Sequence, residues 1–233
     1  MARQRRAAPG GLGYHVMNRS SGHLELFADA GDYAAFERVL AEARAREQMR
    51  VCAYALLPNH FHLVLWPGRD GQLSRFMQWL SMTHTQRWHA HRHSAGRGHL
   101  YQSRFKSFAI QEDGHFLVVC RYVERNALRA GLVERAEEWA WCSLACREQK
   151  LDKGRELLDD WPVERPARWR RVVNQPQSEA ELEALRRCGR RGRPFGTPAW
   201  TMATAARLGV ESSLREVGRP RRSSEAAGEG NGF

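Results

Sequence analysis

The spacing of hydrophobic residues along the first part of the chain changes several times, and each change predicts a new element. Short apolar runs with a two-residue period are typical of β-strands. Such runs occur at residues 14–18, 51–57, 60–66 and 105–111. The second and third runs are separated only by Pro58 and Asn59, so they are expected to pair as a hairpin.

Three other segments carry apolar residues at three- and four-residue intervals, which predicts amphipathic helices. The first starts from Asp32 as its N-cap and ends near Glu47, and the second covers residues 71–88. The third follows a cap at Asp113 and ends at Gly131, a residue type that readily adopts the left-handed conformation closing a helix.

The predicted order is strand, helix, strand, strand, helix, strand, helix. This order indicates an α+β fold of the ferredoxin-like (RRM-like) type, with an antiparallel sheet and helices packed on one face. The composition changes beyond Trp141 and becomes rich in arginine. We therefore expect a basic N-terminal arm (1–10), a main domain (11–150) and an Arg-rich C-terminal extension (151–233) that is partly disordered and contacts DNA.

The charge of the chain favours a polyanionic partner. The formal net charge is +11, and the segment from Arg186 to Arg222 holds ten Arg and two Glu, so it contributes eight of these charges. Nucleic acid fits this excess better than a membrane, because no run approaches the roughly 18 apolar residues of a spanning helix. No apolar run follows the basic start and the five cysteines are irregularly spaced, so a reducing cytoplasmic location is expected.

Two pairs of residues carry candidate chemistry. His60 and His62 alternate with Phe61 on a predicted strand, so both imidazoles point to one face and can share a metal ion. Tyr122 and Asn126 stand four residues apart on a predicted helix, so their side chains are neighbours. Taken singly, either pair is more typical of ordinary structural residues, and only their combination indicates a site.

The combination resembles the HUH endonucleases, which carry two histidines around a bulky apolar residue, and within them the REP-associated tyrosine transposases. Four separated segments carry the resemblance over roughly residues 11–145: YHVMNRS, LLPNHFHLVLWP, YQSRFKS and RYVERNALRAGLV. The later GRRGRPFGTPAW and LGVESSLREVGRPR are similar to the arginine-rich end of that subfamily.

This resemblance implies a divalent metal, Mg²⁺ or Mn²⁺, bound by His60, His62 and Asn126. Relatives commonly carry Gln where Asn126 stands, so binding through water is an alternative, and two imidazoles also suit zinc. Tyr122 is then the nucleophile that attacks a phosphodiester of single-stranded DNA and leaves a 5′-phosphotyrosine. A tyrosine hydroxyl ordinarily has a pKa near 10, so the metal, Arg125 or water must assist it.

The resemblance also implies hairpins of the REP type as substrates, a monomer with a dimer as the alternative, and association with the nucleoid. Polar residues near the predicted site are candidates for DNA contacts, against the alternative of an ordinary solvated surface; they are Arg19, Gln102, Arg104, Lys106 and Arg125. Arg191 and Arg193 flank a glycine as in an AT-hook, a motif that enters minor grooves.

Two rival functions remain open at this point. The chain can be an autonomous insertion-sequence transposase of the same superfamily, which mobilises its own ends. It can also be a hairpin-binding regulator of DNA or RNA that does not cut. A second group of histidines, from His84 to His99, is interpreted as a polar helix end and loop.

Overall fold

The computed structural model describes residues 8–94, 96 and 98–215. Most of the predicted basic arm (1–10) and the end of the C-terminal extension (216–233) therefore lie outside the described residues. No described helix has both the length and the apolar character that crossing a membrane requires.

The described strands form one antiparallel sheet of four: β1 (Gly13–Arg19), β2 (Arg50–Leu57), β3 (His60–Trp66) and β4 (Lys106–Ile110), in the order β2-β3-β1-β4. This is the strand order of the ferredoxin-like arrangement, so the predicted fold class is confirmed. The hairpin predicted around Pro58 and Asn59 is formed by β2 and β3.

The helices in the described part of the chain run from the first crossover to the C-terminal extension. They are α1 (Ala30–Glu47), α2 (Gln72–His91), α3 (Gly114–Glu124), α4 (Asn126–Arg129), α5 (Ser143–Glu148), α6 (Asp152–Leu157), α7 (Trp169–Asn174), α8 (Glu179–Arg191) and α9 (Pro198–Leu208), with 3₁₀ turns at Ser21–His23, Ala136–Glu138 and Glu211–Leu214.

The helix caps agree with the sequence pattern at two positions and differ at one. Asp113 accepts a hydrogen bond from the backbone N–H of His115, and Gly131 has a φ of 70°, as predicted. Asp32 is not the cap of α1. The cap is Asp29, whose side chain accepts from the backbone N–H of Asp32. The helix begins three residues earlier than predicted, so Asp32 lies in its first turn. The predicted third helix is divided at Arg125 into α3 and α4.

Helices cover both faces of the sheet rather than one. Phe61, Leu63 and Leu65 of β3 pack with α1 and α2 in one core cluster. Val64 and Trp66 point the other way and pack with α3 in a second cluster. The second face needs a cover because it too is largely apolar, and α3 provides it beside the histidines.

The C-terminal extension joins the same core. Trp169, Val173 and Leu185 of α7 and α8 are buried in the cluster that contains α3. Phe195 adds a short parallel bridge to the free edge of β4, with its backbone N–H donating to Ala109 at 2.8 Å. The extension therefore lies against the sheet face that carries the histidines.

Candidate active site

Two neighbouring strands, β1 and β3, place three imidazoles on one face of the sheet. In β3, His60 and His62 have ring centroids 5.0 Å apart, and Val64 and Trp66 continue their face into the core. The predicted common face of the two histidines is thus confirmed. Met17 of β1 lies opposite His62, and this register brings His15, two residues earlier, onto the same face.

Each of the two candidate ligand histidines uses its Nδ1 atom for a hydrogen bond. Nδ1 of His60 is 2.7 Å from Oδ1 of Asn59, the hairpin residue. Nδ1 of His62 is 2.9 Å from Nε2 of His15, and the two rings stack with centroids 5.0 Å apart. Asn59 fixes the proton of His60 on Nδ1 because an amide oxygen can only accept. In both rings Nε2 is left for another partner.

All three imidazoles are held in the neutral form at neutral pH. Burial, together with the charges of Arg19 and Arg129, lowers the pKa of His60 to about 4. Burial and the charge of Arg129 lower the pKa of His15 to about 3. Burial, and then the neighbouring His15 and His60, hold the pKa of His62 well below its usual range. The neutral imidazole is the form that binds metals.

Tyr122 reaches this face from α3. Its half-buried ring meets the ring of His62 edge-on at a centroid distance of 5.8 Å and that of His15 at 6.0 Å. On its other side the guanidinium carbon of Arg129 lies 4.3 Å from the ring centroid. The structure thus brings the predicted nucleophile beside one predicted metal ligand.

The donor set fits a divalent metal. Among the described residues no cluster of three His, Cys, Asp or Glu side chains is arranged around a metal site, so a third ligand from these residues would be of another type. Asn126 is 2% exposed, and its Nδ2 is buried without a hydrogen-bond partner. A turn of the amide by 180° places the oxygen at that position. Its predicted role as a ligand stays a prediction.

A cavity of about 180 Å³ opens at this site between the sheet and α8. Its walls combine the histidine face, the predicted nucleophile and one side of α8; they are formed by His15, Met17, His62, Lys106, Ser107, Phe108, Tyr122, Leu185, Arg186, Gly189 and Arg190. The cavity joins neutral imidazoles, a phenol and cationic side chains, which is a suitable environment for a phosphodiester.

Residues 10–126 match the family model of IS200-like transposases. The matched segment begins just before β1 and includes His60, His62, Tyr122 and Asn126. The chain belongs to the IS200-like transposase family. No protein with a curated description matches the sequence.

The fold of this transposase is similar to solved structures. One is described as the REP-associated tyrosine transposase bound to a REP hairpin; it shares 20% identity and a TM-score of 0.52, and the match covers 64% of this chain and 87% of that one. Another is a putative transposase from Deinococcus radiodurans, with 15% identity, a TM-score of 0.37, and coverage of 53% and 96%.

Four of the predicted DNA-contacting residues of the transposase lie along the rim of the site. Arg19 is exposed and faces His60 across the β1–β3 pair. Its carbonyl accepts from the backbone N–H of Gln102 at 3.0 Å, so the segment with Gln102 and Arg104 follows the same end of the sheet. Lys106 lines the cavity. All four side chains are exposed, and their contacts with DNA stay a prediction.

The other three predicted DNA-contacting arginines have protein partners or lie elsewhere. Nη1 of Arg125 donates to the carbonyls of Val173 and Asn174, at 3.1 and 2.6 Å. Arg191 is the last residue of α8, and its guanidinium donates to the carbonyls of Ser212 and Arg215. Arg193 lines a separate cavity between α8 and α9. Their predicted role in DNA binding remains untested.

The second group of histidines is divided in the structure. His84 is buried in α2, and its Nδ1 lies 2.6 Å from the hydroxyl of Tyr101. His89 and His91 lie in the last turn of the same helix. Tyr101, the first residue of the segment YQSRFKS, is thus hydrogen-bonded to α2.

Sequence reasoning missed four residues of the transposase site: His15, Arg129, Arg186 and Arg190. His15 and Arg129 lie inside two of the family-like segments, YHVMNRS and RYVERNALRAGLV. Their place in these segments was the one sequence feature that could have indicated them. Arg186 and Arg190 share one face of α8, four residues apart, but no local pattern indicates that this face meets the cavity.

Proposed function

We propose that this transposase cleaves and rejoins single-stranded DNA at REP-type hairpins, with Tyr122 as the nucleophile. The observation that carries the proposal is the edge-on contact of Tyr122 with His62 in a cavity lined by cationic residues. Membership of a transposase family and likeness to the fold of a hairpin-bound transposase support it.

The chemical step is an exchange of phosphodiester bonds. The Oη atom of Tyr122 forms a bond to phosphorus while the bond between phosphorus and the 3′ oxygen breaks. The phenolic proton is released, and the departing 3′ oxygen takes up a proton. The 5′ end stays on the tyrosine as a phosphoester, and a second 3′-hydroxyl can reverse the step and rejoin strands without ATP.

His60, His62 and Asn126 are the residues that would hold a divalent metal, Mg²⁺ or Mn²⁺. When bound, such an ion polarises a phosphoryl oxygen and offsets developing negative charge. The protein orients the two imidazoles, because Asn59 is hydrogen-bonded to Nδ1 of His60 and His15 is hydrogen-bonded to Nδ1 of His62. It also keeps the histidines neutral at neutral pH.

DNA recognition is proposed to divide between the two rims of the cavity. Arg19, Gln102 and Arg104 follow one end of the sheet, where an unpaired flank can pass the nucleophile. Arg186 and Arg190 approach from α8 and suit the backbone of a hairpin stem. The C-terminal extension is thereby assigned to substrate binding.

The test is covalent capture of DNA. The protein is incubated with Mn²⁺ and a REP-type hairpin that carries a label at its 3′ end. A 5′-phosphotyrosine retains the 3′ fragment, so the label should shift to the protein band on a denaturing gel, whereas a 5′ label should appear in a free fragment. Tyr122→Phe should abolish the adduct because the attacking oxygen is lost.

Tyr33→Phe is the matched control, since Tyr33 belongs to α1 and packs in the core cluster on the opposite face of the sheet. It should form the adduct as the wild type does. Hairpin binding without any adduct would identify a non-cutting regulator. An adduct that forms equally in Tyr122→Phe would overturn the assignment of the nucleophile, and a preference for the ends of an element over REP hairpins would identify an autonomous transposase.

A further inference from the structure

Arg129 lies beside the proposed nucleophile, and its guanidinium has no hydrogen bond or ion pair with the described part of the chain. It follows Tyr122 by seven residues across the junction of α3 and α4, and its guanidinium carbon lies 4.3 Å from the centroid of the phenol ring. Its Nη1 atom is buried and has no hydrogen-bond partner. No described residue forms a side-chain hydrogen bond or an ion pair with this guanidinium. A charged donor left in that state is costly unless a ligand satisfies it.

The neighbouring arginines show that the protein does satisfy such groups elsewhere. Nη2 of Arg121 donates to the carbonyls of Gln175 and Pro176 at 2.8 and 2.7 Å. Arg125 is held in the same way by the carbonyls of residues 173 and 174. Nε of Arg121 is also buried without a partner, but of the three arginines on the described α3, α4 and their junction, only Arg129 has a guanidinium that forms no hydrogen bond at all.

The surroundings of Arg129 are suited to an anion. The phenol ring beneath it meets the rings of His62 and His15 edge-on, at centroid distances of 5.8 and 6.0 Å, so the guanidinium lies close to the imidazole face of the sheet. Lys106, Arg186 and Arg190 line the adjoining cavity. A phosphate that meets the hydroxyl of Tyr122 therefore lies beside a guanidinium whose planar set of donors matches phosphate oxygens.

We infer that Arg129 is a catalytic residue that donates its free Nη1–H to a nonbridging oxygen of the scissile phosphodiester. The contact orients phosphorus towards Oη of Tyr122 and stabilises the negative charge that grows as the new bond forms. This inference rests on the proposed function, because it takes Tyr122 as the attacking group. It assigns the cation beside the nucleophile to Arg129 rather than to Arg125.

The test separates the covalent step from binding. The rate of adduct formation is measured under single-turnover conditions, with the protein in saturating excess over the hairpin. Hairpin affinity is measured separately in the Tyr122→Phe background. Arg129→Gln should slow the covalent step by about 10²- to 10³-fold, as expected for loss of one donor to a developing oxyanion. Arg129→Lys should recover part of the rate, because it keeps the charge but not the planar donors.

Arg121→Gln is the matched control, with the same loss of charge on α3 but a guanidinium already bound to carbonyls. It should leave the covalent rate within about threefold of wild type, well short of the loss of an oxyanion donor. Guanidinium ion added to Arg129→Ala should restore part of the rate, which a purely structural role would not allow. Each variant is first compared with wild type by thermal unfolding.

Wild-type rates in both Arg129→Gln and Arg129→Lys would overturn the inference. So would an equal loss in Arg121→Gln, or the absence of rescue in a folded Arg129→Ala. If the wild type itself forms no adduct, the proposed function fails. If the wild type reacts and Arg129→Gln reacts equally fast, only the role of Arg129 fails.

Discussion

At the scale of single residues, His15 controls which nitrogen of His62 is available to the cavity. Its Nε2 atom is 2.9 Å from Nδ1 of His62, and the pair shares one proton between these atoms. If the proton lies on Nδ1 of His62, the Nε2 atom of His62 carries a lone pair and can bind a metal. If His15 donates instead, that Nε2 atom is protonated and cannot.

We therefore expect the two substitutions of His15 to differ in metal affinity. His15→Gln places an amide oxygen near the position of Nε2, and that oxygen can accept from Nδ1 of His62. His15→Phe removes the acceptor but keeps a ring that can pack on Phe108. In the wild type the ring centroids of His15 and Phe108 are 4.9 Å apart. The Phe variant should bind Mn²⁺ about 10- to 100-fold more weakly, as is usual when the partner of a ligating histidine is lost.

The measurement is the concentration of free Mn²⁺ by electron paramagnetic resonance, in the absence of DNA. The Gln variant is the control and should remain within severalfold of wild type. Equal affinities in the Phe variant and wild type would show that His15 does not orient His62.

At the scale of elements, Glu124 lies two residues after the proposed nucleophile Tyr122 and connects α3 to two later helices. Its side chain is fully buried. Its two oxygens accept from the hydroxyl of Ser143 at the start of α5 and from Nε1 of Trp169 at the start of α7, both at 2.6 Å. Burial raises the pKa of this carboxyl, whereas these two hydrogen bonds lower it. The network fixes the helix that carries Tyr122 against the C-terminal segment.

Replacement of Glu124 by Leu leaves two buried donors without acceptors and should lower the free energy of unfolding by about 3 kcal/mol. Glu124→Gln keeps one acceptor and should cost about half as much. The free energy of unfolding of both variants is measured by urea denaturation. Trp169→Phe, alone and combined with Glu124→Leu, completes a double-mutant cycle. Additive losses in the Leu–Phe pair would contradict a shared network, since coupled residues lose less together than the sum.

At the scale of the whole molecule, the net charge of +11 favours a polyanionic partner, and part of the positive charge lies at the cavity. Arg186 and Arg190 line the cavity on α8 and are paired with Glu179 and Glu183 through exposed contacts. Exposed ion pairs contribute little, so both arginines are available to phosphates. Binding should release counterions and weaken steeply with salt.

Arg186→Gln combined with Arg190→Gln should reduce the slope of log affinity against log salt by about 1.8, if each arginine neutralises one phosphate of the duplex hairpin stem. Hairpin affinity is measured in the Tyr122→Phe background at several salt concentrations. Arg38→Gln with Arg46→Gln removes the same charge from exposed positions on α1 and should leave the slope unchanged. An equal reduction in both pairs would show that only net charge matters.

The sequence by itself determined the element order, the hairpin of β2 and β3 and the common face of His60 and His62. These features follow from local periodicity, which needs no knowledge of distant contacts. Local pattern also made Tyr122 the candidate nucleophile, because its family-like segment is continuous along the chain. It misplaced the cap of α1 by three residues, since Asp29 and Asp32 carry the same signal and only the path of the chain selects between them.

Only the tertiary structure decided which groups complete the site. His15 meets His62 through the register of β1 on β3, 47 residues apart, and α8 reaches the cavity because the apolar second face of the sheet needs a cover. Arg129 and Arg125 look equivalent in sequence, but the carbonyls of α7 bind Arg125 and leave Arg129 free over Tyr122. Such choices depend on which donors already have partners, and that is fixed only when distant segments pack together.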